Sequence, residues 1–298
     1  MSFYQFCIDN KIPFKKNEMM KNHTSFKIGG KADYFVECDC AECLKKVLAE
    51  LKNSKMPYLV LGKGSNLLVS DKGYRGAVIS LAGFDKITVE NDEIVAGAGE
   101  SLAKLCVAAL ENSLTGLEFA YGIPGSVGGA LYMNAGAYGG EMSQVVVSAT
   151  VLDKDGNINE IDLSDMELGY RTSIFKTNGS IILSVKFGLK KGDKAEIKAQ
   201  MDDYMDRRKS KQPLEFPSAG STFKRPEGHF AGALIENNNL KGLRVGGAMV
   251  SEKHAGFVIN YDNATANDVR ELMQKVKDVV LKNDGVELEP EVIFVGEE

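Results

Sequence analysis

Apolar residues recur along this chain in two rhythms, and the rhythm changes near its middle. In DCAECLKKVLAELKN (39–53), Leu44, Val47, Leu48 and Leu51 fall at helical spacing, which predicts a helix capped by Asp39. MPYLVLG (56–62) is a short apolar run after a proline and predicts a buried strand, and AVIS (77–80), ITV (87–89) and EIVAGAG (93–99) predict further strands. Residues 100–113 place Leu102, Leu105, Cys106, Ala109 and Leu110 on one helical face, with Gly116 as the C-terminal stop. The first half therefore alternates strand and helix. From residue 144 the pattern becomes a hairpin, QVVVSATVLDKDGNINEIDL, closed at Asp155 and Gly156, followed by a strand at 180–189. A charged helix over 193–211 turns Ile197, Met201, Tyr204 and Met205 inward, and the two prolines of QPLEFPSAG (212–220) mark a linker. The tail predicts a helix over 265–284, started by Thr265 and Asp268 as a capping box, then a strand over 286–296 broken by Pro290. This order fits an α+β protein of two or three lobes.

Composition narrows the function classes. The 298 residues are 44% hydrophobic and 26% charged, as in ordinary globular proteins. A net charge of −5 argues against nucleic acid as the main partner. The opening residues contain no apolar signal core, and no membrane span is read, so a cytoplasmic protein with no membrane partner is expected. Cys7, Cys38, Cys40, Cys43 and Cys106 are an odd set for a disulfide framework. CDCAEC lacks a nearby fourth ligand for a closed tetrahedral site, so no metal is expected.

The glycines carry the chemistry. LGKGSNLLVS (61–70) has Gly62 and Gly64, but no third glycine and no following helix, so it is not a Rossmann fingerprint; no P-loop occurs. A tight glycine turn between two extended segments can instead form an anion-binding nest of backbone amides, with Ser65 and Asn66 adding donors. A plain turn between strands is the alternative. GIPGSVGGALYMNAGAYGGEM (122–142) combines a rigid proline, several absent side chains and an apolar helix-like segment, which suits close approach of backbone to a diphosphate or a ring system. A packed, glycine-rich helix contact is the competing reading.

These loops, with NHTSFKIGGKADYFV (22–36), GYRTSIF (169–175), PSAGSTFKRP (217–226), VSEKHAGFVIN (250–260) and ELEPEVIFVG (287–296), occur in an order that resembles the UDP-N-acetylenolpyruvoylglucosamine reductase family over nearly the whole chain. The resemblance implies a two-lobed FAD-binding region of the vanillyl-alcohol-oxidase type, followed by a C-terminal α+β substrate domain. The expected division is 1–82 for the first lobe with an N-terminal extension, 83–211 for the second, and 212–298 for the substrate domain, whose last strand returns to the active site. It implies NADPH-dependent reduction of UDP-N-acetylglucosamine enolpyruvate to UDP-N-acetylmuramate, in peptidoglycan precursor synthesis. Gly62, Lys63, Gly64, Ser65 and Asn66, with Gly122, Ile123, Pro124, Gly125, Ser126, Gly128 and Gly129, would hold FAD. Neither loop contains histidine or cysteine, so the flavin is expected to be non-covalent.

Three polar positions then match the family's catalytic residues. An enolpyruvyl carboxylate gains charge as hydride arrives, and the guanidinium of Arg171 can clamp it bidentately. Ser221 matches the proton donor and Glu291 the group that polarises the enolic intermediate. Tyr121, Lys211, Lys224 and Arg225 are expected substrate contacts, with His229 and Asn260 as weaker ones and His254 as structural. Only a short connection separates Arg171 from the helix at 193, so the sequence is similar to the shorter class that lacks a lid insertion. Small molecules are the expected partners, and a monomer is the expected state. A sugar or lactone oxidase on the same flavin fold and a non-catalytic nucleotide-sugar-binding module are the competing readings.

Overall fold

Helix boundaries fall where a side chain can take the free amides of the first turn. The structure, a computed structural model, describes residues 2–297. Ser2 caps α1 (Phe3–Asp9), Cys40 caps α2 (Ala41–Asn53), Ser101 caps α3 (Leu102–Glu111) and Ser126 caps α4 (Val127–Tyr132). The Asp193 carboxylate accepts from the amides of Ala195 and Glu196 ahead of α5 (Lys194–Lys211). α6 (Ala231–Asn237) follows Phe230 with no side-chain cap. α7 (Ala266–Asp284) has the complete capping box of Thr265 and Asp268 and ends at Gly285, whose φ of 69° suits glycine.

Several expectations need correction. Cys40, not Asp39, caps α2: its Sγ accepts from the Cys43 amide at 3.4 Å. α3 ends at Asn112, and Ser113 takes the left-handed turn at φ 55°; Gly116 lies beyond a short strand at Leu114–Thr115. The run at 56–62 is a strand only over Tyr58–Leu61, and Tyr58 is 44% exposed. The hairpin is closed by a five-residue connection in which the Asp153 carboxylate accepts from the amides of Asp155 and Asn157, not by a two-residue turn. At the C-terminus only Ile293–Val295 is a strand.

The chain groups into two compact units, each assembled from separated stretches. The first comprises the chain up to Lys15, Phe35–Lys63 and Ala77–Arg208. Its centre is a five-stranded antiparallel sheet in the order Ile158–Asp162, Val146–Leu152, Ile181–Gly188, Glu93–Gly97, Ile87–Glu90. The strand Ile181–Gly188 lies in the middle and is buried along most of its length, as its apolar run requires. α4 packs on it, and the Gly128 amide donates to the Ala98 carbonyl at 2.9 Å. Tyr58–Leu61 pairs in parallel with Ala77–Ser80, with α2 as the preceding helix.

The second unit comprises Lys16–Tyr34, Gly64–Gly76 and the chain from Lys209 on. Its core joins Val269, Leu272, Met273, Val276 and Val280 of α7 to Phe26, Leu68, Phe223, Leu234, Val258, Leu288 and Val292. Ile293–Val295 runs parallel to Leu67–Val69. Asp71 caps α7 a second time: its two carboxylate oxygens accept from Ala266 N at 2.9 Å and Asn267 N at 3.2 Å. Among the described residues no helix is long and apolar enough to cross a membrane, and no group of three or more His, Cys, Asp or Glu is placed to hold a metal. The thiols of Cys38 and Cys43 lie 3.6 Å apart.

The α7 cap is pH-sensitive. Burial pushes the Asp268 carboxyl up, but hydrogen bonds from the Thr265 amide, the Gly247 amide and the Thr265 hydroxyl outweigh it and hold the pKa below its ordinary value. A depressed carboxylate stabilises the fold fully above the ordinary pKa of about 4, and that contribution is lost as pH falls through the lower folded value. Asp268→Asn should therefore lower stability at neutral pH by roughly 0.3–1 kcal/mol. Urea unfolding at a series of pH values should show the gap to the wild type closing on acidification; a pH-independent gap would refute the assignment.

Candidate active site

Two loops expose backbone where side chains would obstruct. Among the described residues, none of the backbone amides from Gly62 to Asn66 donates to a protein acceptor. Within the second unit, Gly64, Ser65 and Asn66 thus present three successive amides without protein partners, the kind of run that can bind an anion. The glycines are required for different reasons. A Cβ on Gly62 would collide with Ser126 Oγ, the atom that caps α4 by accepting from Gly129 N at 3.3 Å. Gly64 has φ 61°, and a Cβ there would strike the His23 carbonyl. The two glycine-rich segments thus meet, inside the first unit, at the Gly62–Ser126 contact.

The second segment is tied down by its backbone. Ile123 N donates to Ala120 O at 2.9 Å and Gly125 N to Ile123 O at 3.0 Å, on either side of the exposed Pro124. Ser126 faces Ser101 in a short antiparallel bridge, with Leu102 N donating to Gly125 O and Val127 N to Glu100 O. Gly128 is closed in by Ala98, where a Cβ would approach to 2.8 Å, whereas Gly129 stays exposed. This is a rigid cradle of main chain with few side chains, and its residues fit the phosphates and flat ring of a flavin dinucleotide.

Arg171 sits at a strained position in the first unit. Gly169 and Thr172 exchange two backbone hydrogen bonds of 3.2 Å, which makes Gly169–Thr172 a tight turn. Arg171 occupies its third place at φ 55°, a conformation favourable to glycine and asparagine and costing an arginine on the order of 1 kcal/mol or more. Neighbours hold the turn in place. Asn134, itself buried, donates from Nδ2 to Gly169 O at 3.1 Å and accepts from Ser143 N at 3.0 Å. Ser173 Oγ donates to Tyr132 O at 2.7 Å, and Lys176 Nζ donates to Arg171 O at 2.6 Å. Tyr132 ends α4, so the helix that follows the cradle also positions the arginine. The guanidinium lies 5.2 Å from the Tyr170 ring centre and reaches Gly136 O at 3.4 Å.

Ser221 and Glu291 belong to the second unit, and backbone pairing brings their segments side by side. Glu291 N donates to Thr222 O at 2.9 Å, Lys224 N donates to Glu289 O at 2.8 Å, and Phe223 bridges Pro290. Thr222 is buried, with its Oγ1 accepting from Val258 N at 2.8 Å, while the adjacent Ser221 is exposed. Gly220 at φ 77° makes this switch possible, and a Cβ there would meet nothing within 4 Å, so glycine is favoured here by its backbone conformation. The Asn66 side-chain amide donates to Glu291 O at 3.0 Å, and Asn66 O accepts from Ile293 N at 2.9 Å. Asn66 therefore anchors the glutamate segment through its side chain. Ser25 Oγ donates to Ser218 O at 2.7 Å and contacts Ser65 O at 3.3 Å, tying Ser218 to Ser65 within this unit.

The remaining candidates divide. The Lys224 ammonium pairs with the Glu289 carboxylate. Arg225 stacks 4.0 Å above the Phe230 ring, and His229 is exposed. Lys63 and Lys211 are exposed, and Tyr121 is half-buried after the 3-10 turn Glu118–Ala120. Asn260 spends both ends of its side chain on structure, donating to Phe26 O at 3.1 Å and accepting from Ala264 N at 2.8 Å. Burial lowers the His254 pKa, and its Nδ1 accepts from Gly256 N at 3.1 Å, so the ring is a neutral packing element against Phe257. Sequence reasoning missed Ser25, Asn134 and Ser173. Asn134 carried a usable signal, since asparagine tolerates φ above zero better than other residues, and its φ is 41°.

Comparison with known proteins agrees with this geometry. Residues 32–162 match the family model described as FAD binding domain, and residues 212–295 match the C-terminal domain of UDP-N-acetylenolpyruvoylglucosamine reductase. The chain is 52% identical to the UDP-N-acetylenolpyruvoylglucosamine reductase of Clostridium novyi, over 97% of this chain and 94% of that protein. The crystal structure of the reductase from Thermus caldophilus superposes with a TM-score of 0.82 at 36% identity, covering 95% of this chain and 98% of the other. A BBE-like protein from Physcomitrella patens, 13% identical with a TM-score of 0.50 over 64% of this chain and 45% of its own, shares the fold alone. With a bare-backbone cradle in its FAD-binding domain and paired Ser221 and Glu291 segments in the matching C-terminal domain, the chain belongs to the UDP-N-acetylenolpyruvoylglucosamine reductase family.

Proposed function

We propose that the chain reduces the enolpyruvyl ether of UDP-N-acetylglucosamine enolpyruvate to the lactyl ether of UDP-N-acetylmuramate, with NADPH as reductant and Arg171, Ser221 and Glu291 as its catalytic residues. The observation that carries the reading is the pairing of Thr222–Lys224 with Glu289–Glu291, which holds a hydroxyl and a carboxyl on adjoining segments. Non-covalently bound FAD, reduced by NADPH, supplies the hydride. The backbone of Gly62–Asn66 and Gly122–Gly129 binds and orients it.

The protein's own groups handle the charge. Arg171 holds the substrate carboxylate in its fork while negative charge builds on the adjacent carbon. Its unfavourable φ and its bracing by Asn134, Ser173 and Lys176 support a positional role, because strain of this kind persists only where surroundings enforce it. Ser221 donates the proton that completes the lactyl ether. A serine hydroxyl is a weak acid, so it needs a neighbour that stabilises the oxygen left behind. Glu291 polarises the enolic oxygen and is kept in place by the hydrogen bond its N–H donates to Thr222 O and by the one its carbonyl accepts from the Asn66 side-chain amide. Tyr121, Lys211, Lys224 and Arg225 contact the sugar nucleotide. The Glu289 carboxylate pairs with the Lys224 ammonium and holds it beside the Ser221 segment.

The functional division is 1–82 and 83–211 for the two flavin lobes and 212–298 for the substrate domain, supported at the last boundary by the family model that begins at residue 212. The protein acts as a cytoplasmic monomer on small molecules, and the net charge of −5 supports the absence of a nucleic-acid partner.

Anaerobic half-reactions test the reading. NADPH should bleach the flavin of the wild type, and UDP-N-acetylglucosamine enolpyruvate should restore its colour. Ser221→Ala should keep the bleaching and slow the return of colour by roughly 10²–10⁴-fold; equal loss of both steps would defeat the assigned role. Arg171→Lys should also spare bleaching, and should slow recolouring by roughly 10–100-fold because lysine cannot form the fork. An unchanged recolouring rate in that variant would remove the clamp from the mechanism.

A further inference from the structure

Arg208 is a polar group that catalysis as described leaves unused. It lies near the end of α5 in the first unit, half-buried. Its Cδ is 3.2 Å from the place a Cβ on Gly122 would occupy, so the first glycine of the GIPGSVGG loop makes room for the arginine stem. Burial lowers the guanidinium pKa, with the Tyr138 phenol acting in the opposite sense. Among the described residues no carboxylate or carbonyl accepts from it. Two other cations of the same helix are paired, Arg207 with Asp203 at 2.9 Å and Lys198 with Asp202 at 2.5 Å. A partly desolvated guanidinium has five N–H donors, and leaving them without acceptors is costly.

The surroundings indicate what should fill the gap. The rings of Tyr138 and Tyr204 stack at 4.5 Å and 4°, and Tyr138 is presented at φ 54° from the hairpin whose Gly136 carbonyl meets Arg171. The exposed Arg207 lies 5.9 Å from the Tyr204 ring centre. A flat aromatic pair, two arginines and the edge of a dinucleotide cradle together suit a planar, phosphorylated ligand better than a lone carboxylate.

We propose that Arg208 is a nucleotide-phosphate-binding residue, reaching past Gly122 to form a bidentate pair with a phosphate group. The inference rests on the reductase reading above. Three ligands of that reading carry the chemistry: the bound FAD, NADPH and the UDP-sugar substrate.

The test uses Arg208→Gln and Arg208→Lys in the FAD-reconstituted enzyme. FAD affinity is read from flavin fluorescence on titration of the apoprotein. The concentration dependence of anaerobic bleaching by NADPH and by NADH, and of recolouring by the enolpyruvyl substrate, gives affinity and limiting rate separately. Arg208→Gln should weaken one ligand by about tenfold or more, with the limiting rate at saturation within about threefold of wild type. Arg208→Lys should recover part of the loss, as a point charge without the fork. A loss confined to FAD assigns the cofactor diphosphate. A loss for NADPH but not NADH assigns the 2′-phosphate, and a loss for the sugar nucleotide assigns its diphosphate. Unchanged affinity for all three, within about twofold in either variant, overturns the inference. Should Arg208→Gln fail to fold, Arg208→Lys decides by the same readouts. A wild type that bleaches but never recolours would defeat the reductase reading, while the FAD and NADPH titrations would still judge Arg208.

Discussion

The structure depends on a place where side chains are forbidden. At Gly62 one additional carbon would collide with Ser126 Oγ, and at Gly64 with the His23 carbonyl. The result is a run of amides with no protein acceptor beside a helix cap that is itself a serine. Gly62 and Lys63 are exposed, so their amides face water and can exchange it for the oxygens of an anion. On the proposed reading the glycines serve the cofactor as much as the fold.

The residues proposed as catalytic are held in a related way, by backbone and by short polar side chains rather than by large ones. Asn134 and Ser173 fasten the Arg171 turn to the end of α4 in the first unit. Asn66 fastens Glu291, and Ser25 fastens the segment before Ser221, in the second. Each brace is a hydrogen bond of 2.7 to 3.1 Å to a carbonyl, which fixes position without adding charge to the site. In the proposed mechanism charge is then left for Arg171, Ser221 and Glu291 to handle.

Much of this was legible in the residues. The capping box of α7 and its apolar stripe were both readable, because local hydrogen bonding and periodicity decide them. The glycine loops could be separated from Rossmann and P-loop devices because extended segments flank the first. What escaped depends on distant partners. The Cys40 cap replaced Asp39 because a thiol can accept an amide when the backbone turns one residue later. Nothing local announces that Arg171 adopts φ 55°, since its conformation is enforced from α4. The strand expected over 286–296 shortened to three residues because the Glu289–Glu291 stretch pairs with Phe223 and its neighbours through isolated bonds instead of a ladder.

The most direct measurement is FAD binding by Gly62→Ala beside the wild type. Gly62 does not lie in the left-handed region, so alanine is allowed by the backbone and only the contact with Ser126 is disturbed. The account predicts a yellow wild type and a variant of unchanged far-ultraviolet circular dichroism whose FAD dissociation constant rises by about tenfold or more. A variant that keeps wild-type FAD affinity would contradict it, and so would a wild type that takes up no FAD.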